Sequence, residues 1–376
     1  MNPSRTVIDV HILQTVPPSC LNRDDTGAPK TALYGGARRA RVSSQSWKRS
    51  TRRYFNEHLA ESAQGVRTRK LPELFVERLT ERLGARATDE TARVVQLANQ
   101  ASGVLQGVKP DRLKKMAEAE NPDILEYALF ISGRAIDAAV EQLASAFEGV
   151  DLDPEALKQA MRKGHSLDVA LFGRMIADTP ELNIDAACQV AHAISTHRVG
   201  AEFDFYTTVD DLAGDEETGA AMMGYVEFNS ATLYRYATVS LGRLADNLGE
   251  VEHVAEGVRM FVEGFAKSLP TGHQNTFAAM TLPDLVFVVM REDQPVSLVG
   301  AFESPIEGST GYVAESGQRL AEHAQRVDDL YGISRVAGWA SYLSTTGDLS
   351  GLIGPSVAFP ELLGAMESAV TAHFAR

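Results

Sequence analysis

The sequence predicts an α+β protein, a sheet-forming chain interrupted by a helical insertion. Two observations carry this. Short β-rich segments bounded by Gly and Pro occur near residues 6–13, 225–241 and 285–290, while residues 61–164 carry helical caps and 3.6-residue apolar periodicity. At 376 residues, 44% hydrophobic and 23% charged, the chain can bury a sizeable core in two or three folding units.

Taken in order, Thr6 to Leu13 reads as the first strand, with Pro17 and Pro18 just beyond it. A connection of about thirty residues follows, longer than structure usually requires, and long loops in compact domains tend to be functional. Ser43, Ser44 and Ser46 offer caps for a helix from about Ser44 to Leu59, whose inner face is Trp47, Thr51, Tyr54, Phe55 and Leu59. In the insertion, Pro72 to Leu83 is one helix; Asn121-Pro122-Asp123 opens another running to Phe147; Asp153-Pro154-Glu155 opens a third.

Leu167 to Leu171 alternates as a strand would, and Thr196 to Ser230, with Gly214, Gly219 and Gly224, reads as a protruding loop or hairpin. Tyr225 to Leu241 is strand, Val251 to Ser268 an amphipathic helix, and Leu285 to Met290 a strand, with further helices around Gly317 to Tyr331 and Glu361 to Phe374. With the insertion set aside, the order is strand, helix, strand, strand, helix, strand. That is the split βαβ, or ferredoxin-like, arrangement, which RNA-recognition motifs share.

The long connection and the first helix hold the chain's charge anomaly. From Thr26 to Asn56 there are eight basic residues, Lys30, Arg38, Arg39, Arg41, Lys48, Arg49, Arg52 and Arg53, and no acidic one. The whole chain carries −14, so removing these eight positive charges leaves −22 elsewhere. One such block in an acidic protein points to a local anion site. Gln45, Lys48 and Arg52 share a helical stripe, and cations in a first turn oppose the helix dipole unless an anion sits there too. A solvated basic face is the alternative; Gly35-Gly36, which allows close backbone approach, favours the anion site.

Other chemistry finds little support. Only Cys20 and Cys188 are present, which fits a reducing compartment and excludes a cysteine-rich zinc module. His192 and His197 lack a clear third metal ligand, no P-loop, HExxH or GxSxG occurs, and no metal or other cofactor is expected. No run approaches 18 apolar residues and the start is a polar, strand-like segment, so a cytoplasmic protein without a membrane partner is the expectation. Asp24-Asp25 beside Arg23 leaves two readings open: a metal-dependent endoribonuclease, or carboxylates that orient nearby arginines.

Several stretches together resemble the CasC family, backbone subunits of Cascade, the type I-E CRISPR surveillance complex. They are Pro18 to Asp25, Gly35-Gly36, Arg38-Arg39, Arg41 to Ser46, Lys48-Arg49, Asp168 to Leu171 with Gly173-Arg174-Met175, Ala191 to His197, Asp210-Asp211, Phe228 to Ala231 through Tyr236, and Thr276 to Ala279 before Pro283-Asp284. The resemblance spans about Thr6 to Met290. It implies a modified RNA-recognition-motif palm (1–60, 165–197 and 225–376), an all-helical fingers lobe (61–164) and a protruding thumb hairpin (198–224). It also implies CRISPR RNA as ligand, further copies of the chain in a head-to-tail helical filament, other Cascade subunits, and target DNA reached through the guide. By matching positions, Asn22, Arg23, Lys30, Ser43, Gln45, Lys48 and Arg52 would lie along the RNA backbone and Met175 would be an apolar wedge beside a displaced base. Arg38, Arg41 and Arg49 of the basic block, Arg174 beside the wedge, and the loop around Thr271 to Asn275 are further candidates. No catalytic residue is implied.

Overall fold

A computed structural model describes residues 5–60, 63–162, 164–208, 222–308 and 310–375. Its strands are β1 (Val7–Ser19), β2 (Thr31–Tyr34), β3 (Ala37–Val42), β4 (Gly65–Thr68), β5 (Leu129–Ser132), β6 (Cys188–Val190), β7 (Ala193–Ser195), β8 (Glu202–Thr208), β9 (Met222–Ser240), β10 (Leu285–Arg291) and β11 (Arg335–Tyr342). Its helices are α1 (Ser44–His58), α2 (Leu71–Leu83), α3 (Ala85–Asp89), α4 (Thr91–Gln106), α5 (Pro110–Ala117), α6 (Gly133–Phe147), α7 (Pro154–Ala160), α8 (Leu167–Phe172), α9 (Leu241–Leu248), α10 (Val254–Lys267), α11 (Gln274–Phe277), α12 (Val313–Tyr331), α13 (Ser350–Ile353) and α14 (Phe359–Phe374). They form two compact units. One contains the described residues of 1–54, 190–238 and 258–376, the other those of 55–189 and 239–257.

The first unit is built on a sheet in the order β11-β10-β1-β9-β7-β3-β2. β1 and β10 are buried almost throughout and pair antiparallel from Val7↔Arg291 to Leu13↔Leu285. Buried on both faces, they read as continuous apolar runs rather than alternating ones. On one face, Leu13, Tyr234, Tyr236, Leu285, Phe287 and Val289 pack against Leu320, Ala321 and Ala324 of α12. On the other lie Trp47 of α1 and Phe261 and Phe265 of α10, with Trp47 and Phe265 meeting edge to face at 6.3 Å. The second unit is mainly helical. Phe75 and Leu79 of α2, Ala98 and Leu105 of α4 and Ile136, Val140 and Leu143 of α6 form its core, beside the short β4–β5 pair.

Several expectations need correction. Leu167 to Leu171 is helix α8, not a strand: all six of its residues are buried or nearly so, which leaves no amphipathic face to read, and Gly173 at φ 75° ends it. The chain instead returns to this sheet through the short strands β6 and β7. The helix expected from Asn121 to Phe147 begins only at Gly133, capped by Ser132, whose Oγ accepts from Ala135 N–H at 3.2 Å; residues 129–132 are β5. Much of the long connection is a hairpin, β2–β3, that widens the sheet. Thr196 to Ser230 includes β8 paired with β9 from Glu202↔Phe228 to Thr208↔Met222; its acidic run, Asp210 to Glu217, lies outside the described residues. Among the described residues, no helix is long and apolar enough to cross a membrane.

His11 is fully buried on β1, with Nδ1 2.9 Å from the Tyr234 hydroxyl and its ring 5.2 Å from that of Tyr236. Burial lowers its pKa from 6.5 to about 3. A folded pKa below the unfolded one contributes stability that is complete above about pH 6.5 and lost as pH falls towards 3. Unfolding free energy should therefore drop by up to about 1.4 kcal/mol per pH unit below pH ~6 on account of this residue. In denaturant titrations at pH 7, 6 and 5, His11→Phe should show a shallower decline, with part of the slope remaining through His165, also lowered, to about 4. An unchanged slope would mean that His11 is protonated in the fold.

Candidate nucleic-acid interface

The surface begins with the segment that leaves β1. Asp24 turns it back on itself: its Oδ1 accepts from Thr26 N–H (2.9 Å), Thr26 Oγ1 (2.7 Å) and Ala28 N–H (3.1 Å). The Thr26 hydroxyl bond is the main cause holding its carboxyl below the usual range. Asn22 then fastens the segment to α1, its Oδ1 accepting from Ser43 N–H at 2.9 Å, while Lys30 N–H donates to Asn22 O at 2.8 Å. Ser43 caps α1, its Oγ accepting from Ser46 N–H at 3.4 Å.

Gly35 and Gly36, at φ 55° and 71°, form the two-residue turn of the β2–β3 hairpin. A side chain at Gly35 would meet the Glu303 carbonyl, so the close approach expected there is to the chain's own backbone rather than to a ligand. Gly272 plays a similar part. Its backbone lies against the Cys20 and Leu21 carbonyls, where a Cβ would stand 2.4 Å from one of them, and this seats the 270–272 loop beside Asn22. Between that loop, residues 21–27 and one face of α1 is an open cleft of about 640 Å³ whose cations are Arg23, Arg49 and Arg53.

The basic residues divide by what their charge touches. Arg39 is fully buried and donates to four backbone carbonyls, those of Tyr34 (3.3 Å), Ser195 (3.0 Å), Phe302 (2.9 Å) and Glu303 (3.2 Å). It joins the hairpin to the sheet and is not part of the surface charge. Arg174 is 4% exposed in the second unit and donates to the carbonyls of Leu182, Met161 and Phe130. Burial lowers its pKa to about 10. This corrects its place among the candidate contacts, since its guanidinium is enclosed by its own backbone. Met175, the next residue, is 85% exposed.

Gln45, Arg38 and Arg49 are exposed, and Lys48 and Arg52 are half-buried on the stripe they share with Gln45. Arg41 donates to Thr31 O (3.2 Å) and lies 3.0 Å from His192 Nδ1; Arg23 lies 3.2 Å from His273 Nε2. Because guanidinium only donates, both imidazole nitrogens must be acceptors. Burial first, then Arg41 and Lys30, lowers the His192 pKa. Elsewhere arginines commonly sit in ion pairs, as with Arg82–Glu141, Arg243–Asp185 and Arg319–Glu315. Among the described residues, Arg23, Lys30, Arg38, Arg41, Arg49 and Arg53 have no carboxylate within 4.0 Å. Six cations on one unit with no carboxylate in direct contact, and with Asp24 and Asp25 the acidic residues lining the cleft, form a surface suited to an external polyanion.

His192 and Arg53 were not identified as site residues from the sequence, and His273 was placed only within the candidate loop from Thr271 to Asn275. Their place becomes visible only when the fold brings residues 151 and 250 positions apart together with Arg41 and Arg23. Among the described residues, no three His, Cys, Asp or Glu converge as metal ligands.

The family described as CT1975-like protein matches residues 8–354. The chain belongs to that family. Among solved structures, this CT1975-like chain is similar to a chain of a "CRISPR RNA-guided surveillance complex, pre-nicking", with 33% identity, a TM-score of 0.81, and coverage of 97% of this chain and 100% of that one. It is also similar to a chain of a "CRISPR RNA-guided surveillance complex", at 29% identity, TM-score 0.63, and coverage of 96% and 99%. No curated protein sequence matches it.

The division among cations predicts opposite stability effects. Arg39→Met and Arg174→Met each strand several buried carbonyls and should lower unfolding free energy by roughly 2–4 kcal/mol. Arg38→Ala and Met175→Ala, at exposed positions, should stay within about 0.5 kcal/mol of the parent. Chemical denaturation of the four variants without nucleic acid tests this; equal losses for Arg38→Ala and Arg39→Met would overturn the assignment.

Proposed function

We propose that this CT1975-like chain is a non-catalytic RNA-binding subunit of a cytoplasmic CRISPR surveillance complex, the backbone subunit of a CasC-like, type I-E assembly. It holds CRISPR RNA by the sugar-phosphate chain and leaves the bases free to pair with target DNA. The observation that carries the reading is the set of cations between Arg23 and Arg53 that lack carboxylate partners, on a chain similar to subunits of RNA-guided complexes. Phosphate contacts position a strand without reading it, and guide–target pairing supplies the sequence information.

The sheet supports an RNA-recognition-motif-like palm. The chain order β1, α1, β7, β9, α10, β10 combines with the spatial order β10-β1-β9-β7, which is that of the split βαβ arrangement. The fingers lobe corresponds to the helical unit and the thumb to the β8–β9 hairpin. Copies would follow one another head to tail along the guide beside other subunits of the complex. Such heterologous contacts do not close on themselves, so RNA length sets their number.

Replacing Lys48 and Arg52 together with Ala should weaken single-stranded RNA binding. It should also lower the slope of log affinity against log salt by about 1.4, as two fewer phosphates are neutralised. Fluorescence anisotropy at four salt concentrations measures this, and an unchanged slope in a folded double variant would remove these residues from the RNA path. Assembly has its own readout: nuclease protection should grow in equal steps as the RNA is lengthened. Protection that grows continuously would speak against one copy per fixed length of guide.

A further inference from the structure

Strand register brings Lys30, Arg41 and His192 to one face of the sheet. Thr31 pairs with Ala40, so Lys30, one residue outside β2, stands opposite Arg41, and Arg41 N–H donates to Lys30 O at 2.9 Å. On its other side Arg41 pairs with Ile194, two residues from His192, which makes His192 and Arg41 diagonal neighbours. Like charges directly opposite one another destabilise a sheet. Among the described residues neither Lys30 nor Arg41 has a carboxylate within 4.0 Å to offset this.

The Arg41 guanidinium is held at two points. Its Nε donates to Thr31 O at 3.2 Å and its Nη1 to His192 Nδ1 at 3.0 Å. The second bond needs a bare Nδ1, so the neutral ring keeps its proton on Nε2. A proton on Nδ1 would turn the acceptor into a donor, break the contact and set three cations side by side. Arg41 and Lys30 are the charged groups that bear on His192; burial first, then these two, hold its pKa below the ordinary value. A phosphate on the same face reverses that balance, because it accepts from the freed Nη1 and its charge favours the imidazolium.

We propose that His192 is a proton-operated latch on Arg41: the neutral ring keeps Nη1 from a phosphate, while the ring that has taken a proton from solvent releases Arg41 and adds a third cation to the phosphate site. The proposal rests on the RNA-binding reading above and adds that binding takes up a proton at His192. A ligand that prefers the protonated form binds more tightly as pH falls, and protonation and binding strengthen one another by the same factor. His192 is thus a positioning residue that acts through Arg41.

The test is fluorescence anisotropy of the full chain with a twelve-residue oligouridylate, whose bases and phosphodiesters do not titrate between about pH 7.5 and about pH 5.5. The affinity of the parent should rise about fivefold over that fall in pH, at constant ionic strength. The slope of log affinity against log salt should grow by up to about 0.7, the contribution of one more cation facing a single strand. His192→Asn keeps an acceptor near the position of Nδ1 and cannot be protonated. It should bind as the parent does at the higher pH and lose most of the gain. His192→Ala leaves Arg41 unlatched at every pH, so it should bind at the higher pH at least as tightly as the parent, again without most of the gain. A parent whose pH profile matches that of His192→Asn overturns the latch and leaves the RNA-binding reading standing. So does a His192→Ala variant that binds more weakly than the parent at the higher pH yet keeps the parent's gain. If the parent binds oligouridylate at neither pH, both readings fall.

Discussion

Arg235 is the constraint on which the basic surface depends. It sits on β9, 1% exposed, with its guanidinium 3.7 Å from the centroid of the Trp47 rings and 4.4 Å from that of Phe265. It donates to the Gln14 side chain on β1 and to the Phe265 carbonyl on α10. Burial pushes its pKa well below the ordinary value, yet an arginine in a protein keeps its proton, so the core contains a cation that must be satisfied locally. Two aromatic faces and two oxygens do so in part, leaving Nε without a hydrogen-bond partner, and a desolvated cation–π contact contributes about 2 kcal/mol or more. The geometric consequence matters most. With Trp47 fixed inward, the helical period turns Gln45, Lys48, Arg49 and Arg52 outward, and a rotation of α1 by one residue would send part of that stripe into the core.

The same residue type serves opposite purposes across the chain, separated by what surrounds it. Arg39 and Arg174 are enclosed and saturated by carbonyls; Arg291, fully buried, pairs with Asp9 at 3.2 Å and Asp328 at 2.8 Å. Despite that pairing the Asp9 carboxyl is raised, because desolvation outweighs the bonds from Val296 N–H, Thr238 and Tyr236 and the charge of Arg291. These arginines direct their hydrogen bonds to the chain's own carbonyls and carboxylates and so hold strands and loops together, with Arg291 Nη2 left unpartnered. On the surface, Arg23, Arg38, Arg41, Arg49 and Arg53 have no carboxylate within 4.0 Å among the described residues, and this distinction, rather than the count of basic residues, defines the candidate site.

Legibility in the sequence followed the same physical line. Amphipathic helices in contact with water on one side were readable: α1, α2 and α10 begin and end within a few residues of expectation because their faces differ. Elements without a wet face were not. Buried α8 looked like a strand, three-residue β7 was too short to carry a period, and β11 was not identified. In the site, charge density exposed the basic block at once, but one-dimensional counting could not separate Arg39 from its neighbour Arg38, which differ only in the face of β3 they occupy. Nor could it pair Arg41 with His192 or Arg23 with His273, since those contacts exist only after β3 meets β7 and the 270–277 loop meets the end of β1.

The remaining step concerns why such a surface persists uncompensated in an acidic protein. A cluster of like charges raises the free energy of the unliganded fold, and a few nearby carboxylates would relieve it. Asp24 is close enough in sequence to do so, yet its Oδ1 is committed to Thr26 and Ala28. The turn fixes that oxygen, so although Asp24 and Asp25 line the same cleft as Arg23, Arg49 and Arg53, neither comes within 4.0 Å of those guanidinium groups. Under the proposed function this arrangement leaves the repulsion to be relieved by the bound RNA, so that binding gains both the new contacts and the loss of that repulsion. The negative charge spread over the rest of the chain then acts in the same direction, since it repels a polyanion everywhere except where the cations are concentrated.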